Sequence, residues 1–157
     1  MTFHDWIEEH RPIGAVLDVG CGGHLHGTWG LDSLPHQVNG KMNASVIANA
    51  ARLPVRHGSF DGVVCAQVLS YTYVDPVEIL REIHRVLKPG GHLLVTAGRW
   101  KGRGAYRWGR VLEIMRWEDV REVPPPRPLW SYRGWTARRT KMMPAGRDWD
   151  PIDLRHR

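Results

Sequence analysis

Cysteine and long apolar runs are both scarce in this sequence of 157 residues. Its two cysteines, Cys21 and Cys65, are typical of a protein of the reducing cytosol, and we expect both to be small core residues. No apolar run approaches the roughly 20 residues that a membrane-spanning helix requires. The first residues, MTFHDWIEEHRP, are too acidic for a signal peptide. We therefore expect a cytoplasmic protein without a membrane segment.

Positive charge is scarce in the first part of the chain and concentrated in the rest. Residues 1–98 carry seven Lys/Arg and nine Asp/Glu, whereas residues 99–157 carry fifteen Lys/Arg, seven Asp/Glu and six of the eight tryptophans. Two interpretations remain open: a solvated basic surface over buried tryptophans, or a nucleic-acid surface that stacks on bases and contacts phosphates. The residues considered for the second interpretation are Trp100, Trp108, Trp130, Trp135, Arg99, Arg103, Arg107, Arg133 and Arg138.

Short apolar runs alternate with turns along residues 1–98. Thr2 predicts the cap of an N-terminal helix that ends before Arg11, and Pro76 predicts the start of an amphipathic helix that runs to Leu87. The predicted strands are 15–19, 28–31, 45–48, 62–66 and 92–97. This alternation predicts an α/β fold with a doubly wound, Rossmann-like, mostly parallel sheet.

Beyond this region, apolar spacing predicts one further helix over 111–123, which Pro124 ends. Residues 129–143 predict one or two edge strands. The C-terminal hairpin of the sheet is therefore expected to be incomplete. His84 is expected on the solvent side of the helix that begins at Pro76.

The stretch AVLDVGCGGHLHGTWGLD, residues 15–32, places a glycine turn after the first predicted strand and an acidic residue at the end of the second. Gly20 and Gly22 allow the backbone to approach a ligand closely. Ligands of open α/β sheets bind beyond the carboxyl ends of the strands, so we expect Asp32 beside this turn. There its carboxylate can accept hydrogen bonds from both hydroxyls of a ribose.

The loop after the turn lacks the features that most nucleotides need. A dinucleotide requires a helix after the glycines to hold its pyrophosphate, and no Gly-Lys-Ser/Thr sequence is present to form a P-loop. A ligand with a ribose but no phosphate fits, and S-adenosylmethionine (SAM) meets that description. His24 and His26 are two histidines without a third, so we expect no metal site.

Four motifs resemble, in order, those of class I SAM-dependent methyltransferases: VLDVGCGG, GLD, LPVRHGSFDGVV and ILREIHRVLKPGGHLLV. The resemblance covers about residues 14–98 and implies methyl transfer from SAM to an acceptor that the sequence does not identify. We accordingly describe 1–98 as a cofactor-binding Rossmann-like core. Residues 99–157 form a basic, Trp-rich part that completes the same domain and ends in a tail.

The resemblance also implies roles for individual residues. Asp18, Gly20 and Gly22 would cradle the methionine part of SAM, and Asp32 would bind its ribose. Asn49, with Ala50 beside it, stands where the family usually has an Asp at the adenine amino group. Gln67 would line the methyl-transfer cleft, and Lys88 to Gly91 would form a structural turn.

No catalytic residue can be named from the sequence. The sulfonium of SAM is already activated, so alignment can suffice, and a general base is needed only when the acceptor must lose a proton. Tyr71 and Tyr73 either contact the substrate or pack against the helix from Pro76. A second hypothesis is a degenerate SAM-binding domain that acts as a partner subunit or as a nucleic-acid-binding adaptor. For either hypothesis, the expected partners include another subunit or a second copy of the chain in a homodimer. The short loop and Asn49 favour this second hypothesis.

Overall fold

The computed structural model describes residues 1–34, 37–38, 41–71, 74–98, 108–126 and 132–140. Its elements are α1 (Phe3–His10), β1 (Val16–Val19), β2 (Trp29–Asp32), β3 (Gln37–Val38), β4 (Lys41–Met42), β5 (Val46–Ile47), β6 (Phe60–Ala66), α2 (Pro76–Val86), β7 (Leu87–Gly98), α3 (Trp108–Ile114), β8 (Glu118–Val123) and β9 (Tyr132–Arg138). Seven strands form one sheet in the order β5-β2-β1-β6-β7-β9-β8, and β3 pairs with β4 in a separate ribbon.

The first five strands of the sheet are parallel, as the alternation of strands and helices predicts. β6 lies at the centre and is buried along most of its length because helices and neighbouring strands cover it. The predicted α/β fold with a Rossmann-like sheet is confirmed. No helix within the described ranges is long and apolar enough to cross a membrane.

Both predicted helices of the N-terminal part are present, with the caps that their sequences indicate. The Thr2 hydroxyl accepts from the backbone N–H of Asp5, and the Asp5 carboxylate accepts from the N–H of Thr2. Trp6 and Ile7 of α1 pack in a cluster of buried side chains with Val16 of β1. This packing holds α1 against the sheet beside the turn that follows β1.

His84 is buried, and its predicted position on the solvent side of α2 is wrong. Its ring packs edge-to-face on Trp117, with ring centroids 5.2 Å apart. Burial, reinforced by the charge of Arg139, lowers the pKa of His84 to about 4. The helical spacing of α2 alone could not show this, because Trp117 covers that side of α2 from a distant part of the chain.

The C-terminal part differs most from the sequence prediction. The helix expected over 111–123 ends at Ile114. Arg116 has a positive φ of 60°, which ends the helical path, and the chain then pairs as β8 with β9. β9 lies between β7 and β8 and is antiparallel to both, so it is no edge strand. The expectation of an incomplete hairpin is therefore wrong.

Residues from Leu87 onward continue directly into a long strand, where the sequence predicts a turn over Lys88 to Gly91. Backbone hydrogen bonds hold this segment: the N–H of Gly90 donates to Arg139 O at 3.0 Å, and the N–H of Arg139 donates to Gly91 O at 2.8 Å. The partner segment, β9 and the residue after it, lies about 50 residues further along the chain. Local sequence around Lys88 therefore does not reveal this pairing.

Candidate functional site

The carboxyl ends of β1, β2 and β6 meet at one edge of the sheet. The turn after β1 folds back on β2, because the N–H groups of Gly20 and Cys21 both donate to Leu31 O, at 2.7 and 3.2 Å. Gly20 has a φ of +74°, and a Cβ there would lie 2.3 Å from the Val68 side chain. Gly22 has a φ of +52° and open space around the position of a Cβ. The turn thus needs glycine, and it leaves room beside Gly22.

Asp32 ties the end of β2 to the same turn. Its Oδ2 accepts from the N–H of Gly22 at 2.8 Å, and its Oδ1 accepts from the N–H of Leu34 at 3.1 Å. On the other side, the side-chain amide of Asn43 donates to Gly22 O at 3.2 Å. Asp32 thus lies beside the glycine turn, where the sequence predicts it. Asn43 belongs to no sequence motif, so its contact with the turn could not be predicted.

Asp18 is fully buried under the turn. Its Oδ2 accepts from the backbone N–H of His26 at 2.7 Å, and its Oδ1 accepts no hydrogen bond from the described residues. A buried carboxylate oxygen is costly unless a donor reaches it. An acceptor of this kind is suited to the ammonium end of a ligand, reached directly or through a water molecule.

Gln67, directly after β6, occupies a strained backbone conformation. Its φ is 64°, which is uncommon for a residue other than glycine and is concentrated at functional sites. Two bonds to β7 hold it: its N–H donates to Thr96 O and its side-chain amide donates to the Thr96 hydroxyl, both at 3.0 Å. Tyr71, a little further on, is 51% exposed, and Tyr73 lies outside the described residues.

Asn49 and Ala50 follow β5, next to Asp32 in the sheet, where the backbone N–H of Ala48 donates to Asp32 O at 2.9 Å. Asn49 is exposed, and its side-chain oxygen accepts from the N–H of Ala51 at 2.9 Å. This hydrogen bond shapes a local turn. An aspartate could form the same bond, so the local turn does not require the asparagine.

Three histidines meet beside the turn. His4 of α1 joins His24 and His26 of the β1–β2 loop, and one ring nitrogen from each lies within 4.8 Å of the others. Burial, followed by the neighbouring His24 and His26, lowers the pKa of His4. The sequence prediction considered His24 and His26 alone, because no local pattern connects them with a residue 20 positions earlier.

Residues 17–95 match the profile of a protein family described as "Methyltransferase domain". The chain belongs to this family. The match covers half of the sequence and includes the glycine turn, Asp32, Asn49 and Gln67. It confirms the resemblance to class I SAM-dependent methyltransferases, a family whose cofactor is SAM.

Individual relatives agree with this assignment. A ubiquinone biosynthesis O-methyltransferase from Marinobacter nauticus is 32% identical over 116 residues, which cover 59% of this chain and 48% of that protein. The chain thus spans about half the length of this relative.

Two solved structures share the fold. One is the 1,6-didemethyltoxoflavin-N1-methyltransferase of Burkholderia thailandensis, solved with S-adenosylhomocysteine (SAH), with a TM-score of 0.63, 19% identity and coverage of 87% of this chain and 76% of that one. The other is a Haloferax volcanii methyltransferase solved in complex with the activator Trm112, with a TM-score of 0.63, 18% identity and coverage of 88% and 90%.

The cysteines of this methyltransferase-family chain are core residues, as predicted. Cys21 and Cys65 are both buried. Burial, reinforced by the charges of Asp18 and Asp32, raises the pKa of Cys21 to about 12, and burial raises that of Cys65 as well. Neither thiol is ionised near neutral pH, so neither is a nucleophile at this site.

The described basic side chains of the C-terminal part are largely engaged within the fold. Arg133 pairs with Glu122, Arg138 pairs with Glu118 and Asp119, and Arg139 donates to the backbone of Leu87. Among the tryptophans considered for stacking on bases, Trp108 and Trp135 are buried in the core and cannot serve as platforms. Trp100, Trp130, Arg99, Arg103 and Arg107 lie outside the described residues.

Proposed function

We propose that this chain binds SAM at the carboxyl edge of its sheet and transfers the methyl group to an acceptor. The observation that carries the proposal is the contact between the Gly20–Gly22 turn and the Asp32 carboxylate. Asp32 holds Gly22 by a 2.8 Å hydrogen bond and lies at the end of the adjacent strand. The family match supports both the cofactor and the reaction.

Each part of the cofactor has a partner at this edge. The Asp32 carboxylate would accept hydrogen bonds from the ribose hydroxyls, and the open space beside Gly22 would take the methionine part. The Oδ1 of Asp18, which has no hydrogen-bond partner among the described residues, would accept a hydrogen bond from the ammonium group of SAM, directly or through water. The turn at Asn49 and Ala50 would face the adenine. When bound, SAM supplies an electrophilic methyl group on a sulfonium.

The residues of the chain then contribute mainly alignment. Gln67 is fixed by Thr96 in its strained conformation, so the peptide that lines the methyl-transfer cleft is held before any ligand binds. The exposed Tyr71 lies a few residues beyond, and we propose that it contacts the acceptor. Tyr73 keeps the same proposed role.

We further propose that the acceptor atom is oxygen, because the relative from Marinobacter nauticus is named as an O-methyltransferase. A hydroxyl acceptor must lose its proton, so acidic phenols should be methylated faster than aliphatic alcohols of similar shape. The test measures SAH release with matched phenol and aniline substrates. Methylation of the aniline in preference to the phenol would overturn the choice of oxygen.

The cofactor itself is tested by calorimetry with SAH and with NAD. We expect one SAH per chain and no binding of NAD, because residues 20–28, all of them described, form no helix between β1 and β2 to hold a pyrophosphate. Tight binding of NAD, or no binding of SAH by the folded protein, would refute the proposed function.

A further inference from the structure

Three imidazoles from two separate segments of the chain converge beside the glycine turn. His4 lies on α1, whereas His24 and His26 lie in the loop between β1 and β2. The rings of His4 and His24 stack with centroids 3.9 Å apart, and those of His24 and His26 are 4.8 Å apart. In the described part of the chain, this is the group of histidine, cysteine and acidic side chains whose ligand atoms lie close enough to share one ion.

The separations suit a transition metal. In a tetrahedral zinc site, Zn–N bonds of about 2.0–2.1 Å place two ligand nitrogens about 3.3 Å apart. Here a hydrogen bond joins His4 Nδ1 and His26 Nε2 at 2.9 Å, and a bound ion would replace this bond once His4 takes the Nε2–H tautomer. No pair of the three ligand atoms is more than 4.8 Å apart. The rings of His4 and His24 are stacked with their planes 17° apart, so both exposed rings would turn to point their nitrogens at one ion.

His26, the buried histidine of the group, has a carboxylate next to its second ring nitrogen. His26 is buried, and its Nδ1 lies 3.4 Å from the Oδ2 of Asp18. A metal-binding histidine usually donates its second ring N–H to a carboxylate or carbonyl, which fixes the tautomer and leaves the other nitrogen for the ion. The buried carboxylate of Asp18 lies on the Nδ1 side of the ring, and its Oδ2 also accepts from the backbone N–H of His26 at 2.7 Å. Nε2 of His26 is the nitrogen that faces His4.

We propose that His4, His24 and His26 bind a divalent transition metal of the Zn²⁺ class, with Asp18 as the carboxylate that orients His26. Imidazole ligands suit zinc and its neighbours better than magnesium or calcium, which take oxygen ligands. The ion would fasten α1 to the loop that carries the glycine turn. The site shares Asp18 with the proposed cofactor site, through Oδ2 instead of Oδ1, and SAM does not need to be bound for it to form.

The test is calorimetric titration of ZnCl₂ into the untagged full chain after treatment with a chelator. Wild type should bind one Zn²⁺ per chain. His24→Ala should weaken binding at least tenfold, because it removes one of three ligands. The matched control is His57→Ala, which also removes an exposed histidine but lies outside the group. His57→Ala should bind as wild type does.

Circular dichroism and thermal melting distinguish the loss of a metal ligand from a folding defect. His4 and His24 are exposed, so the metal-free His4→Ala and His24→Ala proteins should give the circular dichroism spectrum of wild type. Zn²⁺ should raise the Tm of wild type and of His57→Ala and should leave that of the two ligand variants unchanged. Failure of wild type to bind Zn²⁺, or equal affinity of wild type and His24→Ala, would overturn the proposal. Loss of binding in His57→Ala would also overturn it.

Discussion

The substitution Asp32→Asn tests the proposed ribose contact with the least disturbance of the turn. The amide keeps the shape of the carboxylate, and its oxygen can still accept from the N–H of Gly22, whereas its nitrogen cannot accept from the N–H of Leu34. It loses the negative charge and replaces one acceptor oxygen with a donor. The substitution therefore keeps the hydrogen bond to Gly22 while it weakens the ribose contact, whereas Asp32→Ala would remove both.

The size of the effect follows from the bonds that change. A hydrogen bond to a charged group contributes about 1.5–3 kcal/mol and one between neutral groups about 0.5–1.5 kcal/mol. Two ribose hydroxyls thus lose about 2–3 kcal/mol together, which is about 30- to 150-fold in affinity. The lower part of this range is expected, because the carboxylate already accepts from Gly22 and Leu34.

The assay is calorimetric titration of SAH into wild type, Asp32→Asn and the matched control Asp119→Asn. Asp119 is an exposed aspartate on β8 that pairs with Arg138, and its loss removes the same charge far from the glycine turn in the strand order. Asp119→Asn should bind SAH with wild-type affinity. An Asp32→Asn protein with the wild-type melting profile and unchanged SAH affinity would refute the assignment of Asp32.

Three further predictions follow from the described contacts. Gly20→Ala should lower the free energy of unfolding in urea by about 1–3 kcal/mol, since it strains a positive φ and meets Val68; an unchanged midpoint would contradict this. Folded His84 takes up its proton only near pH 4, whereas the unfolded chain does so near about 6.5. The free energy of unfolding should therefore fall by about 3 kcal/mol as the pH is lowered from about 6.5 to 4, and His84→Phe should lose this pH dependence. An equal slope of the free energy of unfolding against pH in the variant would contradict the prediction. Asn49→Asp should keep the hydrogen bond to Ala51 and leave SAH affinity unchanged or tighter, because a charged acceptor strengthens the bond to adenine; a weaker affinity in the folded variant would place Asn49 away from the adenine.

The parts of the fold that follow local rules were predictable from the sequence. The cap at Thr2, the proline at the start of α2 and the glycine turn after β1 each depend on residues within a few positions of one another. Asp32 could be placed beside the turn because the ends of parallel strands share one edge of a sheet. The glycine turn and Asp32 also belong to the family motifs.

The features that sequence reasoning missed depend on contacts between distant segments. The spacing of Val111, Met115 and Val120 is compatible with a helix, and only pairing with β9 makes residues 118–123 a strand. His84 is buried by Trp117, which no property of α2 reveals. His4 meets the β1–β2 loop only because α1 packs against the sheet through Trp6. Tertiary packing decides each of these cases.

A crystal structure of the chain with SAH would test the central claim most directly. We predict that both ribose hydroxyls lie within hydrogen-bonding distance of the Asp32 carboxylate, with the homocysteine part beside Gly22 and the adenine at the turn of Asn49. SAH bound elsewhere on the protein, or ribose hydroxyls turned away from Asp32, would contradict the account.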